Sequence, residues 1–405
     1  MMADATAVPE ILGKFAKPLN SLLVKPAGPR CNLRCKYCFY LQKRDLWGDK
    51  VQCRMDDSIL RTLVRQMMRE GAPRISFGWQ GGEPTLMGIP FFERAVEYQI
   101  RFGRPGQVVG NGLQTNGILI NHEWAKFLSN AQFLVGLSLD GPEHIHDHYR
   151  RYANGQPSWA TVVKARDILL DQGVEVNALT VVTDYSAHFA KEIYDFHKAG
   201  GLKYMQFIPC CEPDPLDRIQ VASYTVNPDA YGSFLCELFD LWLLDFAAGR
   251  PTTSIRWFDS LFYTFVDLQP PECTLLPECG TYLVVEHNGD VFSCDFYVEP
   301  SWRLGNVISN HLSEMLNSTL QRQFGQRKTQ RAKLCGECRW LAHCYGGCPK
   351  NRLLDFPSNG SDYYCRAYLQ FFEYAGEAFA QLAKQWKSDH GRIVIKPGEM
   401  QGRPG

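Results

Sequence analysis

The sequence predicts an α/β protein with a parallel sheet, followed by a smaller cysteine-rich region. Three observations carry this. From Leu22 to about Phe207, short apolar runs alternate with longer amphipathic ones, which is the strand-then-helix pattern of a parallel sheet covered by helices. Polar motifs follow the apolar runs, and in such sheets ligand-binding groups collect at the carboxyl ends of the strands. From Cys273 the texture changes to short strands, turns and cysteines. A chain of 405 residues has room for one large and one smaller domain.

The elements follow in order. SLLVKPA is the first strand and runs into the first cysteines, and Asp56 to Glu70 has helical spacing. RISFGWQGGEP reads as a strand entering a glycine turn, then Phe91 to Phe102 as a helix. QVVGNGLQTNG is a strand with its loop, Ile120 to Leu128 a helix, and FLVGLSLDGP a strand with its turn. Trp159 to Gln172, VEVNALTVVT and Phe189 to Ala199 continue as helix, strand and helix, and LKYMQFIPC closes the series. Proline and acidic residues make 209–218 a loop, and about 223–268 looks helical. Asn288-Gly289 sits at a hairpin tip in YLVVEHNGDVFSCDFYV. Tyr363 to about Lys387 reads as a helix before a loose tail.

Composition narrows the function. The formal net charge is zero, so nothing points to a nucleic-acid or membrane partner. The N-terminal residues lack the apolar core and cleavage site of a secretory signal. The most apolar helical run, Phe234 to Gly249, is interrupted by Glu237, Asp240 and Asp245, so no membrane span is expected. A cytoplasmic location follows. There, fifteen cysteines bind metal or do chemistry more often than they form disulfides.

RCNLRCKYC places Cys31, Cys35 and Cys38 in one short loop after a strand. Zinc could use these three thiolates with a distant fourth ligand. Three thiolates on a four-iron cluster would instead leave one iron open, and an open position is what separates catalytic from structural metal sites. Gly81-Gly82-Glu83-Pro84 lies one strand–helix unit downstream, and Gln114-Thr115-Asn116-Gly117 and Ser138-Leu139-Asp140-Gly141 follow at further strand ends.

Together these motifs resemble the radical S-adenosylmethionine superfamily, whose cysteine motif carries an aromatic residue before its last cysteine, here Tyr37. The resemblance implies a partial, open (β/α)6 barrel. It implies that S-adenosylmethionine chelates the open iron and that the turn of Gly81, Gly82 and Glu83 holds the methionine ammonium. Ser138 and Arg150 match further cofactor contacts. Asn177 and the strand starting at Met205 are candidates for ribose and adenine.

Cys335, Cys338, Cys344 and Cys348 read C-x2-C-x5-C-x3-C, with Cys365 downstream and Cys273, Cys279 and Cys294 before them. This pattern resembles the SPASM extension and implies two further four-iron clusters. The first would take Cys273, Cys279, Cys294 and Cys348, and the second Cys335, Cys338, Cys344 and Cys365. With the Cys31, Cys35 and Cys38 cluster, that makes three [4Fe–4S] clusters. A zinc ribbon over Cys335 to Cys348 is the alternative. The expected division is an N-terminal extension over 1–20, the barrel over 21–222 and a helical connector over 223–268. The SPASM domain follows over 269–370, then a C-terminal helix and tail over 371–405.

CDFYV, Cys294 to Val298, narrows the resemblance to the anaerobic sulfatase-maturating enzymes. The likeness runs from about Ser21 to about Tyr374 and includes CNLRCKYCFY, FGWQGGEPTL, SIRWFD, WRLGN and YYC. It implies oxidation of a cysteine or serine in a sulfatase polypeptide to Cα-formylglycine. Asp295 would be the general base, and an auxiliary cluster would accept an electron. Tyr40, Gln80 and Arg256 match polar substrate-facing positions, with Asp259 a similar candidate. The resemblance also implies an electron donor such as flavodoxin or ferredoxin, and a monomer. The alternatives are a SPASM peptide maturase that crosslinks or epimerises another peptide, and a non-catalytic iron–sulfur electron carrier. His144, His146 and His148 in EHIHDHY are expected to be surface or capping histidines. Cys53, Cys210, Cys211 and Cys236 are expected outside the clusters.

Overall fold

The structure is a computed structural model that describes residues 16–47, 53–217, 220–247, 249–352 and 360–390. Most of the expected N-terminal extension and the loose tail lie outside the described residues. Six strands lie side by side in chain order, all parallel: β1 (Ser21–Lys25), β2 (Arg74–Trp79), β3 (Val108–Thr115), β4 (Phe133–Ser138), β5 (Val176–Val182) and β6 (Tyr204–Pro209). Helices α1 (Asp57–Glu70), α2 (Ile89–Phe102), α3 (His122–Asn130), α4 (Glu143–Tyr149), α5 (Trp159–Asp171) and α6 (Ala190–Ala199) form the crossovers. Helix starts are marked in the sequence. Asp56 caps α1 by accepting from the Ile59 N–H at 2.9 Å, and Asn121 caps α3 through Trp124 N–H at 2.9 Å.

The core is apolar, and polar groups beside β2 and β3 pair within it. Trp79 donates its indole N–H to Asn111 at 2.9 Å, and Gln99 shares the same amide oxygen. The stretch read as helical over about 223–268 is interrupted. Helix α7 (Pro228–Leu244) ends at a small hairpin of β7 (Phe246–Ala247) and β8 (Arg250–Pro251). Gly249 and Pro251 disfavour helix there. Strand β9 (Ser254–Ile255) then pairs with β6, and α8 (Arg256–Phe265) follows.

The cysteine-rich region joins the same sheet. Strand β10 (Leu283–Glu286) pairs in parallel with β1, and β11 (Asp290–Phe292) and β12 (Arg303–Asn306) extend it antiparallel. The ten-stranded order is β12-β11-β10-β1-β2-β3-β4-β5-β6-β9, and its two end strands do not pair, so the barrel stays open. The chain then makes α9 (Leu312–Leu316), α10 (Thr319–Gln326), α11 (Lys333–Gly336), α12 (Leu341–Cys344), α13 (Pro349–Arg352) and α14 (Cys365–His390). Helix α14 packs along α7. No described helix is long and apolar enough to cross a membrane.

Because β1 to β6 and β10 all run the same way, their carboxyl ends share one rim. That rim receives Lys25, Gln80, Thr115, Ser138 and Glu286. The register sets Lys25 directly beside Glu286.

Candidate active site

The loop after β1 brings Cys31, Cys35 and Cys38 into a small cluster with Leu33, Tyr37 and Cys210. Burial pushes the Cys31 thiol up to about 11 and Cys35 to about 12. Metal binding deprotonates thiols of this kind. Cys31 Sγ accepts from Leu33 N–H at 3.3 Å and lies 3.5 Å from the Asn116 amide. Behind the loop, Tyr37 donates to Asp140 at 2.5 Å and accepts from Arg150 at 2.9 Å. Among the described residues, the buried Arg150 Nε has no acceptor. A cation with a free donor beside three thiols fits an anionic cluster and the carboxylate of its ligand.

The glycine turn packs against this loop. Gly82 donates its N–H to Gly28 O at 2.8 Å and Glu83 donates to Arg30 O at 2.7 Å. A Cβ at Gly82 would be driven into the Arg30 carbonyl, so only glycine permits the approach. Glu83 is fully buried. Its carboxylate accepts from Thr85 N–H at 2.9 Å, Thr85 Oγ1 at 2.6 Å, Thr115 Oγ1 at 2.9 Å and Asn116 N–H at 2.8 Å. The side chain thus ties two strand-end loops together, and most of its acceptor capacity is used within the chain.

Asp295 reaches the rim on the short turn after β11. Its carboxylate forms an ion pair with the buried Lys25 and accepts from Gln80 Nε2 at 2.7 Å. Lys25 also lies over the Tyr40 ring, 3.5 Å from its centroid. Tyr40 is 2% exposed and donates to Glu286 at 2.5 Å. Phe296, next to Asp295, packs on Phe39 at 4.9 Å between centroids, which sets the CDFYV turn against the first cysteine loop.

Other expected residues fall elsewhere. Ser138 ends β4 on the rim. Met205 is a correction: it is the second residue of β6, at the end away from the rim, and is buried in the core. Ile208 and Pro209 of that strand reach the rim instead. Asn177 likewise lies near the start of β5. Arg256 is exposed and pairs with Glu272 at 3.1 Å. Asp259, hydrogen-bonded to Ser254, is pushed up to about 6 by burial. His146 departs from a surface role. It is fully buried, bonding Ser158 at 3.1 Å and accepting from Asp140 N–H at 3.3 Å. His144 bonds Tyr185 and Glu192, and His148 stacks on Tyr185 at 4.0 Å.

The eight C-terminal cysteines gather in two places. Cys273 lies within electrostatic reach of Cys348, Cys294 and Cys279. Cys335, Cys338, Cys344 and Cys365 line one cavity with Trp340 and Phe372. Buried Asp362 joins the two places, accepting from the N–H of Cys348 at 2.9 Å and of Tyr364 at 2.8 Å. None of the fifteen cysteines is in a disulfide among the described residues. Four thiols in each place suit a fully ligated four-iron cluster, and three thiols after β1 suit an open one.

Lys25, Glu286 and Asp362 were not legible as site residues, whereas Asp140 stood in the Ser138-Leu139-Asp140-Gly141 motif without a role of its own. Only the position of Lys25, directly after an apolar strand, was a usable signal.

Two families match the chain: the Radical SAM superfamily over residues 26–196 and an iron–sulfur cluster-binding domain, SPASM, over 277–344. The serine-type anaerobic sulfatase-maturating enzyme of Bacteroides thetaiotaomicron is 37% identical, covering 92% of this chain and 92% of that protein. The cysteine-type enzyme of Clostridium perfringens is 38% identical, covering 91% and 100%. The solved structure of native anSMEcpe with bound AdoMet and the Cp18Cys peptide superposes with a TM-score of 0.83 at 37% identity, covering 91% and 100%.

Proposed function

The chain belongs to the anaerobic sulfatase-maturating enzymes, radical S-adenosylmethionine oxidoreductases with a SPASM domain, and from that membership we propose how its residues oxidise a sulfatase cysteine or serine to Cα-formylglycine. The observation that carries the reading is Asp295, held by Lys25 and Gln80 on the rim beside the Cys31–Cys38 loop.

The groups these residues would hold are three [4Fe–4S] clusters and S-adenosylmethionine. Together they supply hydrogen-atom abstraction at the open cluster and one-electron acceptance at the auxiliary ones. Cys31, Cys35 and Cys38 hold the open cluster. Gly81, Gly82 and Glu83 shape the cofactor seat, with Tyr37 and Arg150 behind it and Ser138 on the rim. Cys273, Cys279, Cys294 and Cys348 hold one auxiliary cluster, and Cys335, Cys338, Cys344 and Cys365 the other.

Asp295 accepts the proton of the substrate thiol or hydroxyl at its carboxylate while Cβ is oxidised. Lys25 holds that carboxylate in place through their ion pair, and Gln80 fixes its second oxygen. Tyr40 places Lys25 through its ring. Arg256, at the exposed start of α8, serves substrate binding outside this centre. The apolar packing of Phe39 on Phe296 limits water at the base. The partner is a sulfatase polypeptide. An electron donor such as flavodoxin or ferredoxin, a monomeric state and a cytoplasmic location complete the proposal. The free, clustered thiols favour a reducing compartment.

The test is anaerobic incubation with S-adenosylmethionine, reductant and peptides carrying Cys/Ser-x-Pro/Ala-x-Arg, read by mass spectrometry. An aldehyde on either peptide is the expected result. Cofactor cleavage with no aldehyde on either version would favour the crosslinking or epimerising alternative.

A further inference from the structure

We propose that Lys328 is the fixed counter-ion of the auxiliary cluster on Cys273, Cys279, Cys294 and Cys348, raising its reduction potential so that it accepts the electron released in peptide oxidation. This rests on the ligand set and acceptor role proposed above.

Lys328 is fully buried. A buried ammonium is costly unless an opposite charge faces it. Its Nζ donates to the carbonyls of Cys273 at 3.0 Å and Thr274 at 2.7 Å. An ammonium has three N–H donors, so one remains beyond these neutral acceptors. Among the described residues no carboxylate pairs with it. Burial pushes the ammonium down from the ordinary lysine range, and the thiols of Cys279, Cys273, Cys348 and Cys344 oppose that once they are ionised as ligands. Three of those four belong to one proposed cluster.

The lysine is also held in place. Arg352 donates to the Lys328 carbonyl at 3.1 Å and to Gln330 O at 3.0 Å. Lys17 makes a parallel contact, with Cys279 O at 3.3 Å and Gly280 O at 3.2 Å. It is only half-buried, so water screens its charge.

A positive charge buried beside a cluster favours its reduced, more negative state. The step is a one-electron transfer: the substrate carbon radical is oxidised, the [4Fe–4S] cluster is reduced, and the thiol or hydroxyl proton goes to Asp295. The alternative is that Lys328 only braces the Cys273–Thr274 turn. Charge and hydrogen bonding can be separated, since glutamine keeps donors without charge and arginine keeps both.

The experiment uses the full chain with Cys31, Cys35 and Cys38 changed to alanine, so that only auxiliary signals remain. Into it go Lys328→Gln, Lys328→Met and Lys328→Arg. Iron is counted, and midpoint potentials are read by EPR-monitored reductive titration. The neutral variants should keep about eight irons. One auxiliary midpoint should fall by a tenfold change in the reduction equilibrium or more, about 59 mV for a one-electron couple. Lys328→Arg should stay near the parent. Iron loss in the two neutral variants alone also supports a need for charge. Unchanged midpoints at full iron, an equal fall in Lys328→Arg and Lys328→Gln, or iron loss in all three variants would overturn the proposal. A parent chain holding only about four irons would overturn the ligand set itself, and this inference with it.

Discussion

Lys25 and Asp295 meet as an ion pair although they lie far apart in the chain. Lys25 ends β1, and Asp295 follows the β10–β11 hairpin. The parallel pairing of β10 with β1 brings them together. Lys25 is almost wholly buried, while the Asp295 side chain keeps 15% of its surface exposed. A base needs such a partly open position, fixed and reachable by substrate.

Asp295→Asn should therefore keep iron content and cofactor cleavage while slowing peptide oxidation by about 10²–10⁴-fold. It also leaves a buried ammonium without its partner, which costs roughly 3–5 kcal/mol when a buried pair is broken. Adding Lys25→Met should restore much of the lost thermal stability and none of the turnover. Peptide oxidation at the parent rate in Asp295→Asn would remove it as the base.

Gln80→Leu tests the second hold on the carboxylate. It deletes the 2.7 Å bond to Asp295 and leaves Lys25 in place. The expected outcome is a fall in kcat of about tenfold, comparable to one hydrogen bond to a charged group. A rise in peptide KM with kcat unchanged would assign Gln80 to substrate binding alone.

The cofactor seat depends on Glu83 and Gly82 in different ways. Glu83→Gln turns a donor toward groups that are already donors, and each buried unsatisfied group costs about 1–3 kcal/mol. Gly82→Ala drives a methyl into the Arg30 carbonyl. Both should weaken S-adenosylmethionine binding at least about tenfold, since roughly 1.4 kcal/mol suffices, while auxiliary iron is retained. Anaerobic equilibrium dialysis measures this. Unaltered affinity in both would separate the turn from the cofactor.

Metal analysis tests the cysteine sets. The intact protein should hold about twelve irons with matching sulfide. Cys348→Ala and Cys365→Ala should each lose about four of them, from different clusters. Zinc in place of iron in anaerobically purified protein would instead return the C-terminal cysteines to a zinc ribbon.

The sequence by itself determined the chemistry and the local frame. Cysteine spacing, the GGEP turn and the alternation of apolar runs are local properties, set by how few residues separate the groups concerned. They were enough to place six parallel strands and the motifs at their ends. Met205 shows the limit of that reading. Its strand was found, but the side chain enters at the strand's first turn and belongs to the core. Only the tertiary structure decided the long-range contacts. Which strand receives β10, and in what register, depends on the packing of whole faces, and that choice sets Glu286 beside Lys25 and Asp295 above them. The same is true of Lys328, whose sequence neighbours suggest an exposed cation. Its meaning comes from burial among thiols contributed by two separate segments, Cys273–Cys279 and Cys344–Cys348, a grouping that no spacing along the chain encodes.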